Sequence, residues 1–463
     1  MSSRVKKDVA KLIPLALIMG TLLLVLMVLP QAVRYMGRAK GIPANIVVDT
    51  QAVLGEMPRP WRNLAQGGEE SEPMFDDVTD KLKALKPEYI RIDHLYDIYQ
   101  VVSRDGSSLK YDWSKLDRVV DDITRAGARP MLSLSYMPPV ISKSDIIDQP
   151  KDWGEWEAVV QATVEHYSGT GGKNIDMIYY EVWNEPDLFG SFKTYGDKNY
   201  LNLYAHSVAG INRARGVRQF KVGGPATTAL YKAWVDNFLN FVVKNNLRLD
   251  FYSWHRYNTD LAQYEKDAQQ IETWLEAHPE KDDLELCITE WGHNSEIDKG
   301  YDGTFGAIHT IAASRVMMGR IDRGFVFEIK DGPGATQYWG RWGLLTHEKW
   351  GTIQTKPRFN ALLFLNQLGN ERLSLAGEGS WVRGIGAVKN GVIQTMLINY
   401  DPTGKHSEGV PVRFENLPSG NFTYKRTDFL GGVKSQTVAT SSAEWATVEF
   451  MKPNSAAMLE LNF

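Results

Sequence analysis

Four acidic residues fall where short apolar runs give way to polar ones. Glu181, Glu185 and Asp187 lie in Tyr179-Tyr180-Glu181-Val182-Trp183-Asn184-Glu185-Pro186-Asp187, and Glu290 lies in Cys287-Ile288-Thr289-Glu290-Trp291-Gly292. Two carboxyl groups facing one another can divide proton transfer and nucleophilic attack between them, one protonated and one ionised. Residue type alone does not select the pair. Glu181 precedes Glu185 by four positions, so on a strand it faces the same side but deeper, and it reads as an interior residue. Asp187 and Asp250 read as loop or cap residues, and Glu328 as a ligand contact or an interior ion pair. His94, His255 and His293 show no H-x-H or H-E-x-x-H spacing, so neither a metal nor a cofactor is expected. The single cysteine, Cys287, cannot form an intrachain disulfide and reads as a small buried hydrophobe.

Something must hold those side chains at one rim. From residue 45 onward a short β-branched run, a polar loop and a helical stretch recur, which is the signature of a mainly parallel sheet with helices outside it. Candidate strands are 46–49, 89–93, 130–135, 177–183, 221–224, 250–255, 285–290 and 324–329. The clearest helix follows Asp112, a candidate N-cap, with Trp113, Leu116, Val119, Val120 and Ile123 at helical spacing and Gly127 as its stop. Eight such units predict a (β/α)8 barrel, whose C-terminal rim carries the chemistry. A doubly wound sheet is the competitor, but no G-x-G-x-x-G follows the first strand.

With these pieces in order, a resemblance becomes explicit. Ser133-Leu134-Ser135-Tyr136-Met137-Pro138, Glu181-Val182-Trp183-Asn184-Glu185-Pro186, Val222-Gly223-Gly224-Pro225-Ala226, Asp250-Phe251-Tyr252-Ser253-Trp254-His255-Arg256-Tyr257 and Thr289-Glu290-Trp291 run along residues 45–370. This resembles a retaining glycoside hydrolase of the clan whose acid and nucleophile follow strands four and seven. It is most similar to family 39, with its β-xylosidases, α-iduronidases and relatives linked to exopolysaccharide synthesis. The resemblance implies Glu185 as acid/base and Glu290 as nucleophile, with Glu185 raised in pKa and Glu290 kept ionised by donors. It implies Asn184 on the sugar 2-hydroxyl, and Tyr257 and Arg91 on the nucleophile. His255, His94 and the strand-end tryptophans Trp291, Trp339 and Trp342 complete the expected substrate contacts. The expected substrate is a β-linked poly- or oligosaccharide. A non-catalytic glycan-binding protein and a transglycosylase using the same residues are the alternatives. The loop 330–342, with Gly332, Pro333 and Gly334, departs from the family pattern.

Composition agrees with a large folded chain. The 463 residues are 43% apolar and carry a net charge of −4, which argues against disorder and against a nucleic-acid partner. The 14 Trp, 20 Tyr and 17 Phe suit a carbohydrate ligand, because rings stack on sugar faces. Residues 12–33 are uncharged and apolar, long enough for the roughly 20 residues a membrane-spanning helix needs. Arg4, Lys6, Lys7 and Lys11 precede the span, and Arg34, Arg38 and Lys40 follow it. The expectation is a single-pass, uncleaved anchor with the large domain on the extracytoplasmic side of the cell membrane. The expected division is 1–40 anchor, 41–370 barrel and 371–463 an antiparallel β-sandwich, in which Trp381 and Trp445 pack or bind glycan. Oligomeric state is not readable.

Overall fold

The computed structural model describes residues 41–281 and 283–463. The apolar segment 12–33 lies outside the described residues. Among these, no helix is long and apolar enough to cross a membrane.

Eight parallel strands close a barrel: Asn63–Gln66, Tyr89–Ile92, Arg129–Leu134, Ile178–Val182, Phe220–Thr227, Phe251–Tyr257, Glu285–Gly292 and Arg323–Phe327. The last pairs with the first through Phe325–Asn63 and Phe327–Ala65. Seven of the expected strands are found in place, and the first is corrected. Residues 46–49 belong to Ile46–Glu56, which lies in the other sheet, antiparallel to Glu371–Ala376 and parallel to Glu408–Glu415. The burial pattern explains the misassignment. Ile46 and Val48 are buried while Val47 and Asp49 are partly exposed, the alternation of a strand with one covered face. The true first strand, Asn-Leu-Ala-Gln, is buried throughout but short and polar at both ends, so an apolar-run reading passes over it.

Inward side chains stack in layers along the barrel axis, because alternate residues of each strand share a face. The lower layer is apolar, with Tyr89, Met131, Tyr179, Phe251, Cys287 and Phe325 packed together. One step up, the same strands turn Arg91, Ser133 and Glu181 inward, and all three are fully buried. The charged groups of the rim therefore stand on a packed apolar floor.

The helix Ser114–Arg125 buries Leu116, Val119, Val120 and Ile123 against the barrel, as the spacing predicts. Asp112 accepts a hydrogen bond from the Ser114 amide at 2.9 Å, but it stands one position before the N-cap, which is Trp113. Gly127, at φ +88°, takes the left-handed turn that leads into the third strand. The helix Thr304–Met317 is buried on nearly every side, because it lies between the barrel and the second domain. Its Arg315 bonds Glu378 and the Gly384 carbonyl of that domain.

The second domain is a nine-stranded, mostly antiparallel sheet built from Ile46–Glu56 and eight strands after residue 370. Val433–Thr440 and Trp445–Met451 lie at its opposite ends. The sheet curls so that Trp445–Met451 meets Gly420–Asp428, the neighbour of the other end strand: Tyr424 donates to Glu449 at 2.6 Å, and Trp445 packs edge-on to Phe422 at 5.3 Å. Trp445 is thus a packing residue, and Trp381 stacks on His406 at 3.8 Å.

Candidate active site

Two local distortions aim the rim carboxyls. Strand seven is irregular against both neighbours just after Ile288. Strict alternation from inward-facing Cys287 would turn Trp291 inward and Glu290 outward. The slip instead pairs Glu290 with His255, and a β-bulge re-aims side chains in this way. After strand four the chain turns through positive φ at Trp183 (+73°) and Glu185 (+45°), and the Glu185 amide donates to the Ala226 carbonyl at 3.0 Å.

The result is a compact constellation. A carboxylate oxygen of Glu185, one of Glu290 and a ring nitrogen of His255 all lie within 4.8 Å of one another. Retaining glycosidases hold their two carboxyls about 5–5.5 Å apart, whereas inverting enzymes leave room for a water at about 6.5–9.5 Å. Glu290 is held from both sides: Arg91 Nη1 donates to Oε1 at 3.0 Å and the Tyr257 hydroxyl to Oε2 at 2.8 Å. The other Arg91 nitrogens donate to Glu181 (2.7 Å) and to the Asn184 side-chain carbonyl (2.7 Å). One buried guanidinium therefore fixes the nucleophile candidate, the expected 2-hydroxyl ligand and the interior carboxylate together. Asn184 in turn donates to the Tyr136 hydroxyl at 2.8 Å. His255 Nδ1 lies 2.8 Å from Glu185 and 3.5 Å from Glu290, bridging the pair.

The electrostatics follow from burial and these contacts. Burial alone would pull Arg91 down, but Glu181 and then Glu290 raise it overall, so it stays cationic. Burial pushes the Glu290 carboxyl above the usual carboxylate range; His255 and then Arg91 oppose this, and Glu185 adds to it. The donors expected around Glu290 are in place, and burial is the largest influence against them. His255 is depressed by burial but raised overall by Glu290 and then Glu185. Burial and then Glu290 hold the Tyr257 hydroxyl well above its ordinary value, so it remains a donor.

A cavity of about 620 Å³ opens over this constellation. His94 and Trp342 line it, as expected. Arg341 lies 3.6 Å over the Trp342 ring and pairs with Glu69, tying the loops after strands eight and one together. Trp291 is corrected: it is fully buried on the helix side of the sheet, edge-on to Tyr264 at 6.3 Å. Trp339 is also corrected: it does not line the cavity, and its ring covers Gly334 with Arg341 5.4 Å away. Glu181 is a fully buried interior partner of Arg91, and buried Glu328 takes a hydrogen bond from Gln66 at 3.1 Å. Residue reading missed Asp93, Tyr136, Glu69 and Arg341 as cavity walls. Asp93 had a signal, standing two residues after Arg91 and hence on the same face.

Glu185, His255 and Glu290 also have the spacing of a cation site, as do Glu70, His347 and Glu348. In the first set Arg91 already supplies the positive charge at 3.0 Å from Glu290. In the second, Lys330 does so at 2.8 Å from Glu348.

The sequence profile of glycosyl hydrolases family 39 matches residues 44–385. The chain belongs to glycosyl hydrolase family 39. It is accordingly a retaining glycosidase acting on O-glycosyl bonds. A β-xylosidase from Caldicellulosiruptor saccharolyticus is 26% identical over 375 residues, covering 72% of this chain and 74% of that protein. A β-xylosidase from Geobacillus stearothermophilus is 28% identical over 321 residues, and the match spans 61% of each chain. Among solved structures, a family 39 enzyme from Xanthomonas axonopodis pv. citri superposes with a TM-score of 0.75 at 20% identity, covering 91% of this chain and 97% of that one. A monomeric β-xylosidase from Caulobacter crescentus gives 0.75 at 21%, covering 90% and 99%. At these identities the structural likeness speaks for the fold.

Proposed function

We propose that this family 39 enzyme cleaves a β-linked oligo- or polysaccharide by double displacement, with Glu290 as nucleophile and Glu185 as acid/base. The observation that carries this reading is the approach of the two carboxyls to within 4.8 Å, with Glu290 gripped by Arg91 and Tyr257 and the Glu185 side chain, among the described residues, held through His255. Glu290 attacks the anomeric carbon while Glu185 gives its proton to the departing oxygen. Asn184, oriented by Arg91, takes the 2-hydroxyl. Glu185 then removes a proton from water, whose oxygen attacks the anomeric carbon and frees Glu290. Trp342 offers a ring face to the sugar. The names of the curated relatives make a β-xyloside the first substrate to try. The apolar segment 12–33 with its basic flanks supports a membrane tether that would place this domain on the extracytoplasmic side, acting on glycan made or exported there.

The test is release of nitrophenol from aryl β-glycosides, with the product anomer followed by NMR. The β-anomer is expected first, and Glu290→Gln should abolish turnover. Hydrolysis that survives both Glu290→Gln and Glu185→Gln refutes the assignment. Loss of the apolar segment should release the protein from membranes with its turnover intact.

A further inference from the structure

Asp93 is a buried carboxylate that the scheme above leaves unused. It is 6% exposed, yet it lines the cavity. Its Oδ1 accepts no hydrogen bond from any described residue. Its Oδ2 stands 4.0 Å from Arg91 Nη1, beyond hydrogen-bonding reach, because that nitrogen is given to Glu290 at 3.0 Å. His94 is the adjacent cation, but its Nδ1 is bonded to Asp97 at 2.8 Å. Asp93 and His94 attract one another through space, but the hydrogen bond of the histidine goes to Asp97, so the Asp93 oxygens are left without a donor. Oδ1 is sealed from the cavity, so Oδ2 is the oxygen a ligand reaches, and it too accepts no hydrogen bond from a described residue. Buried polar groups are rarely left without partners, and an unpartnered oxygen at a ligand cavity is where a ligand donor belongs.

Position says which donor. Strand two faces strand six across the barrel, and strand six carries His255, which holds Glu185. Asp93 thus stands on the wall opposite the acid's support, beside the Arg91 that touches both Glu290 and Asn184. A sugar seated with its anomeric carbon at Glu290 and its 2-hydroxyl on Asn184 would present its next ring hydroxyl to this wall.

We propose that Asp93 is a specificity-determining residue that accepts a hydrogen bond from the 3-hydroxyl of the bound sugar, and that this sugar is neutral, with that hydroxyl free. The inference rests on the hydrolase reading, because Glu290 and Asn184 set the sugar's placement. A uronate would bring a further carboxylate towards Asp93 and Glu290. A 3-deoxy or 3-O-acyl sugar would cover Oδ2 with no donor to give it.

The experiment uses the full chain and the best-cleaved of 4-nitrophenyl β-D-xyloside, β-D-glucoside and β-D-mannoside, its 3-deoxy counterpart, and 4-nitrophenyl β-D-glucuronide. The wild type is expected to prefer the parent glycoside over the deoxy one by about 10- to 150-fold in kcat/KM, the range of a hydrogen bond to a charged group. Asp93→Ala should bring that ratio close to one by slowing the parent alone, and Asp93→Asn, which keeps a neutral acceptor, should leave it in between. The ratio does not depend on how much of the variant is folded. Equal slowing of both glycosides by Asp93→Ala overturns the inference and leaves the hydrolase reading standing. A wild-type preference for the glucuronide also overturns it. If nothing is cleaved, the hydrolase reading fails, and the same ratio, read as dissociation constants by calorimetry, still decides the role of Asp93. Binding of none of the four classes overturns both.

Discussion

Replacing Tyr257 by Phe removes one hydroxyl and one 2.8 Å hydrogen bond to Glu290 Oε2, with little change of volume. Hydrogen bonds to charged groups contribute about 1.5–3 kcal/mol. Tyr257 donates to the ionised carboxylate, which accepts more strongly than a neutral carboxyl would, so the bond favours the charged form. Its loss therefore raises the Glu290 pKa, adding to the upward push of burial. At 1.36 kcal/mol per unit, the rise is about one to two units. Glu290 must be ionised in the free enzyme, so the acid limb of kcat/KM against pH moves to higher pH by that amount. The plateau should fall less, by about tenfold or under. The nucleophile's charge is partly consumed in the transition state, so much of the hydrogen bond is present in both states and cancels. The assay is a pH profile on an aryl β-glycoside, with circular dichroism confirming the fold. A plateau that falls while the acid limb stays in place refutes the reasoning: the hydroxyl would then be orienting sugar and not holding the nucleophile.

Arg91→Met should cost about 3–5 kcal/mol of stability, because it leaves fully buried Glu181 without its cation; urea unfolding measures it. Glu185→Gln should slow hydrolysis by about 10²–10⁴-fold, with single-turnover kinetics showing which half-reaction suffers. Trp342→Ala should raise KM with the fold retained, whereas Trp291→Ala should cost about 3–5 kcal/mol in thermal or denaturant unfolding, since one ring lines the cavity and the other fills the core.

The barrel was legible because most of its strands are buried on both faces and read as apolar runs between helical stretches. Asn63–Gln66 escaped because its end residues are polar. They are satisfied by side-chain bonds that no periodicity reveals: Asn63 donates to the Pro60 carbonyl at 3.0 Å, and Gln66 bonds Glu328 and the Lys330 backbone. Its role passed to residues 46–49, whose alternation suits a sheet covered on one face. That segment joins a sheet whose other strands begin more than 300 residues later, beyond any local pattern. In the second domain Gly391, between Val382–Lys389 and Val392–Asn399, marks a tight turn at φ +83°. The wing strand Val433–Thr440 has little buried apolar surface and gave no comparable signal.

At the rim, residue types carried further than positions did. Glu185, Glu290, Asn184, Arg91, His255 and Tyr257 converge because their strands end at one level. What failed was the sense of direction within strand seven. Counting by twos from Cys287 sends Trp291 into the cavity, and Trp291 was accordingly expected to stack on sugar. The irregularity after Ile288 reverses that assignment and gives the inward place to Glu290. The error at Trp291 and the success at Glu290 are one event, since a bulge that aims a carboxylate inward must send its neighbour out. Asp93 was missed for the opposite reason: there the period holds, and the step from Arg91 to Asp93 needed only to be taken. Functional rims are where local rules are broken for chemistry, so a periodic reading is trustworthy up to the last inward layer and must be checked beyond it.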